Sequence, residues 1–168
     1  MKAAPSLRRP DQVAEAIRAR GAVHLRVFGG SMMPWVRPGD ILTVRHVEPA
    51  RLHPGDIILY FRAGRMFVHR LLRVYRKGGR LFFLAKGDAM PRADAPVEES
   101  GVLGRISTVQ RGRRLLNLDS PSQKRAARLL AKISPASRYY YPAGRLAWRL
   151  VSSAERLIGN EHKEGVRS

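Results

Sequence analysis

From Ala22 to Gln110 apolar residues recur at every second position in short runs, and glycine or proline separates most of the runs. Val23, Leu25 and Val27 alternate with His24 and Arg26. Ile41 to Val44, Asp56 to Phe61, Met66 to Val74, Arg80 to Ala85 and Val102 to Val109 are further runs. A period of two belongs to strands, whose successive side chains leave the pleat on opposite faces. Short strands at this spacing predict a mainly β fold, a sandwich or barrel. Lys77-Gly78-Gly79-Arg80 predicts a hairpin turn, since glycine accepts positive φ.

Helical patterns flank the strands. Residues 1–10 hold Pro5 and Pro10 and read as a loose tail. Asp11 to Arg20 has an early acid, late arginines and Gly21 after it, which are start and stop signals in the right order. After Asn117, Ala126, Leu129, Leu130 and Ile133 form an apolar stripe opposed by Lys124, Arg125, Arg128 and Lys132. Ala147, Leu150, Val151, Ala154 and Leu157 form a second stripe, joined to the first through Tyr139-Tyr140-Tyr141. The organisation predicted is a tail and short helix in 1–21, a β-rich domain in 22–117 and a basic amphipathic helical extension in 118–168. The first extension helix is expected to pack on the β domain and the second to lie on a membrane surface.

The absence of cysteine excludes disulfides, thiolate metal sites and a cysteine nucleophile. Attention then falls on Gly29-Gly30-Ser31-Met32-Met33-Pro34. Two glycines permit close backbone approach or unusual dihedrals. A serine after them, at a strand end, suits a nucleophile whose own amide stabilises an oxyanion. Met32, Met33 and Pro34 would wall such a site against a substrate. A serine nucleophile needs a base. His24, His46, His53 and His162 fall at exposed, turn or tail positions, whereas His69 lies inside the apolar run Met66 to Leu72. Asp88 and Asp94 flank the loop Lys86-Gly87-Asp88-Ala89-Met90-Pro91-Arg92-Ala93-Asp94. Either carboxylate could fix the tautomer of a histidine.

These segments together resemble the type I signal peptidases. Gly30-Ser31-Met32-Met33-Pro34 resembles the family's Ser-Met-x-Pro nucleophile motif, and Pro38-Gly39-Asp40 the stretch beside it. Pro54-Gly55-Asp56, Val68-His69-Arg70-Leu71-Leu72, Lys86-Gly87-Asp88 through Asp94, and Val102-Leu103-Gly104-Arg105-Ile106 resemble the motifs that follow, in the family's order. The resemblance implies a β-barrel-type catalytic domain of the signal-peptidase and LexA-like kind. It implies a serine endopeptidase with Ser31 as nucleophile and, because His69 stands where most bacterial members carry lysine, histidine as base. By the same resemblance Asp94 ranks first as the histidine's partner and Asp88 second, as a brace. The implied substrate is a precursor protein or peptide with small residues at the first and third positions before the cut, and no cofactor is needed. Three departures stand out: Gly29 replaces a serine oxyanion donor, Ala89 and Met90 replace asparagines, and an N-terminal membrane anchor is missing.

A formal charge of +19 favours anionic partners. Peripheral contact with an anionic membrane is one expectation. A soluble peptidase dedicated to one modified or secreted peptide is another. An inactive basic protein is a third, binding anionic membrane, or nucleic acid with Trp35, Tyr60 and Phe61 as stacking faces; a nucleic-acid partner is not expected, for want of any recognition motif. No stretch approaches the ~20 apolar residues of a bilayer span, and residues 1–20 lack a secretory apolar run. The location expected is cytoplasmic or peripheral to a membrane.

Overall fold

The computed structural model describes residues 9–133. The tail before Arg9, Tyr139-Tyr140-Tyr141, the stripe from Ala147 to Leu157 and His162 lie outside the described residues. Helix α1 (Pro10–Arg20) has a proline in its first turn, Asp11 near its start and Arg18 and Arg20 near its end. These suit the helix dipole, and Gly21 closes the helix at φ 72°. Its fully buried Val13 and Ile17, one turn apart, dock it on the sheet.

Strands β1 (Ala22–Arg26), β2 (Ile41–Arg45), β3 (Ile57–Arg62), β4 (Arg65–Lys77), β5 (Arg80–Lys86), β6 (Val97–Glu98), β7 (Val102–Arg111) and β8 (Arg114–Asn117) follow. They form one sheet in the order β1-β2-β7-β3-β4-β5-β6, with β8 also on β7. Every strand pair is antiparallel. Helix α2 (Pro121–Ile133) comes after the last strand. The mainly β class with flanking helices is the one the alternation predicts.

Strand β3 divides the interior. Ile57 and Leu59 join a core with α1, β1, β2 and β7. Ile58 and Tyr60 join a second core with Leu71 and Phe83. A strand buried on both faces loses the polar half of its alternation, which explains the unbroken apolar run Ile57 to Phe61. The β3–β4 turn is Ala63-Gly64, both at positive φ (47° and 77°), and Arg62 pairs with Arg65 across it. That two-residue turn fixes the register, so His69 lies opposite Ile58 and Arg70 opposite Ile57. The β4–β5 turn is Gly78-Gly79, again at positive φ (57° and 76°), where the sequence predicts one.

Helix α2 passes directly over Gly55, in the turn before β3. A Cβ at Gly55 would sit 2.8 Å from the Ala127 carbonyl carbon. Such an approach selects small residues, and the helix presents Ala127 and buried Ala131 rather than the predicted stripe alone. Leu129, placed on that stripe by periodicity, is 64% exposed.

The segment between β1 and β2 is tied at its neck. The Val27 amide donates to the Asp40 carbonyl at 2.9 Å and the Gly39 amide to the Val27 carbonyl at 2.8 Å. Arg111 of β7 grips both Asp40 carboxylate oxygens at 2.9 and 2.7 Å and also donates to the Trp35 carbonyl. Burial alone would raise the Asp40 carboxyl, but Arg111 and the Arg37 amide outweigh it and hold it below its ordinary value. A lowered carboxyl stabilises the fold at neutral pH, and that contribution is lost as pH falls through the acid range. Asp40→Asn should therefore lose about 1–3 kcal/mol at pH 7 in urea unfolding. The deficit relative to wild type should shrink as pH approaches ~3, below the ordinary carboxyl range; a constant deficit would rule out the ion pair as its source.

Candidate active site

Ser31 sits in a turn at the head of the β1–β2 segment. The Met33 amide donates to the Gly30 carbonyl at 3.2 Å and the Val36 amide to the Met32 carbonyl at 3.0 Å. Met32 and Val36 are 2% and 1% exposed and anchor the turn in the α1-side core. Met32 therefore cannot wall a substrate site as the sequence suggests, because its side chain is spent on the core. Met33 is partly buried and Pro34 exposed. Among the described residues no acceptor takes up the Ser31 N–H, which leaves it available as a donor.

The glycines before Ser31 act differently from the expectation. Neither adopts positive φ, and a Cβ at Gly29 would meet nothing within 4 Å. Gly29 thus leaves open space before the serine, whereas a Cβ at Gly30 would lie 3.4 Å from Met33 Sδ. The close approach falls on Gly87 instead. A Cβ there would lie 2.6 Å from the Ser31 carbonyl oxygen and 3.1 Å from His69 Nε2. The Ala89 amide adds a hydrogen bond to the Ser31 carbonyl at 2.8 Å. The loop after β5 is thus stitched to the turn carrying the serine.

His69 and Arg70 are neighbours in β4 and project to opposite sides of the strand. His69 is 4% exposed, more deeply buried than its run suggests. Its Nε2 lies 2.9 Å from Ser31 Oγ and its Nδ1 2.5 Å from Asp94 Oδ2. Asp94 is held by its own amide, which donates to the Ala85 carbonyl at 2.9 Å. Ser31, His69 and Asp94 form one continuous hydrogen-bonded chain.

Asp88 does not touch that chain. It meets the other side chain, accepting two bonds from Arg70 at 2.9 and 2.7 Å, while Arg70 also donates to the Gly55 carbonyl at 3.0 Å. Both partners are nearly sealed from water, with side chains 4% and 10% exposed. Asp88 thus fixes Arg70, the residue beside His69 in β4.

Tyr60, Arg70 and Lys86 complete the site, and sequence reading does not single them out for it. The Tyr60 hydroxyl donates to Asp94 Oδ2 at 2.7 Å and lies 3.1 Å from His69 Nδ1. Its signal in the sequence is the Ala63-Gly64 turn, whose register sets Tyr60 diagonal to His69 on one face. Lys86 is 1% exposed and donates to the Gly87 carbonyl at 3.2 Å. Burial pushes its ammonium below the usual lysine value, against the opposing pull of Asp88 and Asp94. Burial raises the Asp94 carboxyl, but hydrogen bonds from His69 and Tyr60 outweigh that and hold it low, hence ionised at neutral pH. A serine hydroxyl, an imidazole and an ionised carboxylate in series can move a proton off the hydroxyl and hold it. Among the described residues no group of three or more His, Asp or Glu side chains could hold a metal, and no helix is long and apolar enough to cross a membrane.

Residues 6–107 match the family described as Peptidase S24-like. The chain is also 31% identical over 87 residues to signal peptidase I W of Bacillus subtilis (strain 168). That alignment covers 50% of this chain and 46% of the relative, so the chain spans about half the length of the curated protein it matches.

The Arg70–Asp88 pair gives a direct test of the brace. Asp88→Asn leaves a buried guanidinium without its counter-charge, which should cost about 3 kcal/mol. The urea midpoint should fall with the slope unchanged. A midpoint within error of wild type would show that Asp88 is not a brace.

Proposed function

The chain belongs to the Peptidase S24-like family, whose function is of the serine peptidase type, and from that premise we propose that it is an endopeptidase cutting a precursor protein or peptide after small residues, with Ser31 as nucleophile, His69 as general base and Asp94 as the group that orients and charges the base. The observation that carries this reading is the unbroken path from Ser31 Oγ through both ring nitrogens of His69 to Asp94 Oδ2.

Nε2 takes the Oγ proton as Oγ attacks the scissile carbonyl carbon. The Ser31 amide is the backbone donor for the oxyanion, a role supported by its lack of another acceptor among the described residues. Collapse of the tetrahedral intermediate breaks the C–N bond, and the Nε2 proton goes to the leaving amine. Water then gives a proton to Nε2, attacks the acyl ester and releases the acid and Ser31 Oγ–H. Asp94 keeps Nδ1 protonated and offsets the imidazolium charge in both halves. Asp88 and Arg70 position the strand and do not meet the substrate.

Open space at Gly29 and the exposed Phe28, Pro34 and Trp35 leave the serine reachable by an extended chain. The preference for small residues before the cut, and a precursor as substrate, rest on the similarity to a signal peptidase. We assign the peptidase unit to residues 22–117 and treat 118–168 as an extension whose basic face suits an anionic surface.

A panel of peptides with Ala-x-Ala sites, read by mass spectrometry with and without anionic liposomes, tests the reading. Wild type should cut, and Ser31→Ala or His69→Ala should lose about 10³-fold or more in kcat. Equal cutting by Ser31→Ala would assign the activity elsewhere. With histidine as the base, the rate should fall on acidification as the imidazole becomes protonated. A flat profile from about pH 5 to 9 would exclude a histidine base.

A further inference from the structure

We propose that Tyr60 is a positioning residue of this site, whose hydroxyl holds Asp94 and sets the pH at which His69 is available as a base. The inference rests on the reading of Ser31, His69 and Asp94 as the reacting chain.

Tyr60 OH and His69 Nδ1 converge on the same carboxylate oxygen, Asp94 Oδ2, at 2.7 and 2.5 Å, and lie 3.1 Å from each other. Tyr60 is 1% exposed, so water does not compete for its hydroxyl. Its ring stacks on Phe67 at 5.5 Å and turns an edge toward His69 at 6.0 Å, which leaves it little freedom to swing away. Burial first, then the Asp94 charge, push the phenol far above its ordinary value. It is therefore a donor at neutral pH.

A donor on a carboxylate stabilises the ionised form and draws charge from the oxygen it binds. Here that oxygen is the one facing the imidazole. A carboxylate sharing its charge with Tyr60 offers less of it to an imidazolium, so His69 stays neutral to lower pH. The other charged groups facing the pair come from several elements. Arg62 of β3 donates to the Ala95 carbonyl and its charge also favours ionised Asp94. Lys86 of β5 feels both Asp88 and Asp94, and Asp88 of the following loop is neutralised by Arg70 of β4. None of these donates to Asp94 Oδ2; Tyr60 acts on the shared oxygen directly.

Tyr60→Phe removes the hydroxyl and keeps the ring. In the full chain, kcat on a cleaved peptide should fall about 3- to 10-fold at pH 7, the worth of one hydrogen bond, with KM unchanged because Tyr60 does not reach the substrate. The acidic limb of the profile should move to higher pH by about half a unit or more. A merely structural loss would lower the rate at all pH values without moving the limb, and would overturn the proposal. An NMR titration of the His69 ring in a Ser31→Ala background reads the same shift without turnover. Coincident midpoints in that background with and without the Tyr60→Phe substitution would sink the inference even if the peptidase reading stands. A shifted midpoint would support it even in a protein that cuts nothing. Should Tyr60→Phe fail to fold, a fluorinated tyrosine placed at position 60, a stronger donor of the same shape, should move the midpoint to lower pH; no movement would overturn the proposal.

Discussion

His69 and Arg70 are adjacent in a strand and must point to opposite sides of it, and one loop supplies a carboxylate to each. The rest of the site depends on that division. Asp94 reaches the imidazole on one face, and Asp88 reaches the guanidinium on the other. The loop after β5 straddles β4 at His69 and Arg70, gripping it from both sides. A site fixed in this way holds the backbone of its histidine by covalent neighbourhood to a buried ion pair as well as by packing.

The two-core arrangement follows from the same strand pair. β3 is buried on both faces, and all of it pairs with Arg65 to Arg70 of β4. The α1-side core fixes the turn carrying Ser31 through Met32 and Val36. The second core fixes Tyr60. Serine and base therefore hang from different cores, and Gly87 is the point at which the two halves are pressed together. The close spacing of Ser31 and His69 requires this absence of a side chain, alongside the hydrogen bonds that join the two.

Much of this is legible in the amino-acid sequence. Period-two runs announced the strands, and Gly21 and Gly78-Gly79 announced a helix end and a hairpin. Ser31, His69 and Asp94 were legible as candidates by residue type and order. The pairing of acids with partners was ranked by resemblance alone, since strand alternation makes sense of it only once β4 has a register. Tyr60 was hidden because an apolar run makes its ring look like core, which it is, and only the hairpin register shows where its hydroxyl points. Met32 and Leu129 were misread for one reason: a local pattern says which residues are apolar, not which neighbour arrives to cover them. Gly29 and Gly87 differ likewise in what lies across from each, and a linear chain does not record that.

Gly87 lies against one further side chain, Met90, whose Cγ would be 2.7 Å from a Cβ at that position, and Met90 itself is 40% exposed. A protein without cysteine is not thereby indifferent to oxidants. Conversion of the Met90 thioether to its sulfoxide makes a bulkier, polar group out of the apolar one that packs beside the serine–histidine junction. Met90 is thus the oxidisable side chain that lies beside the serine–histidine junction.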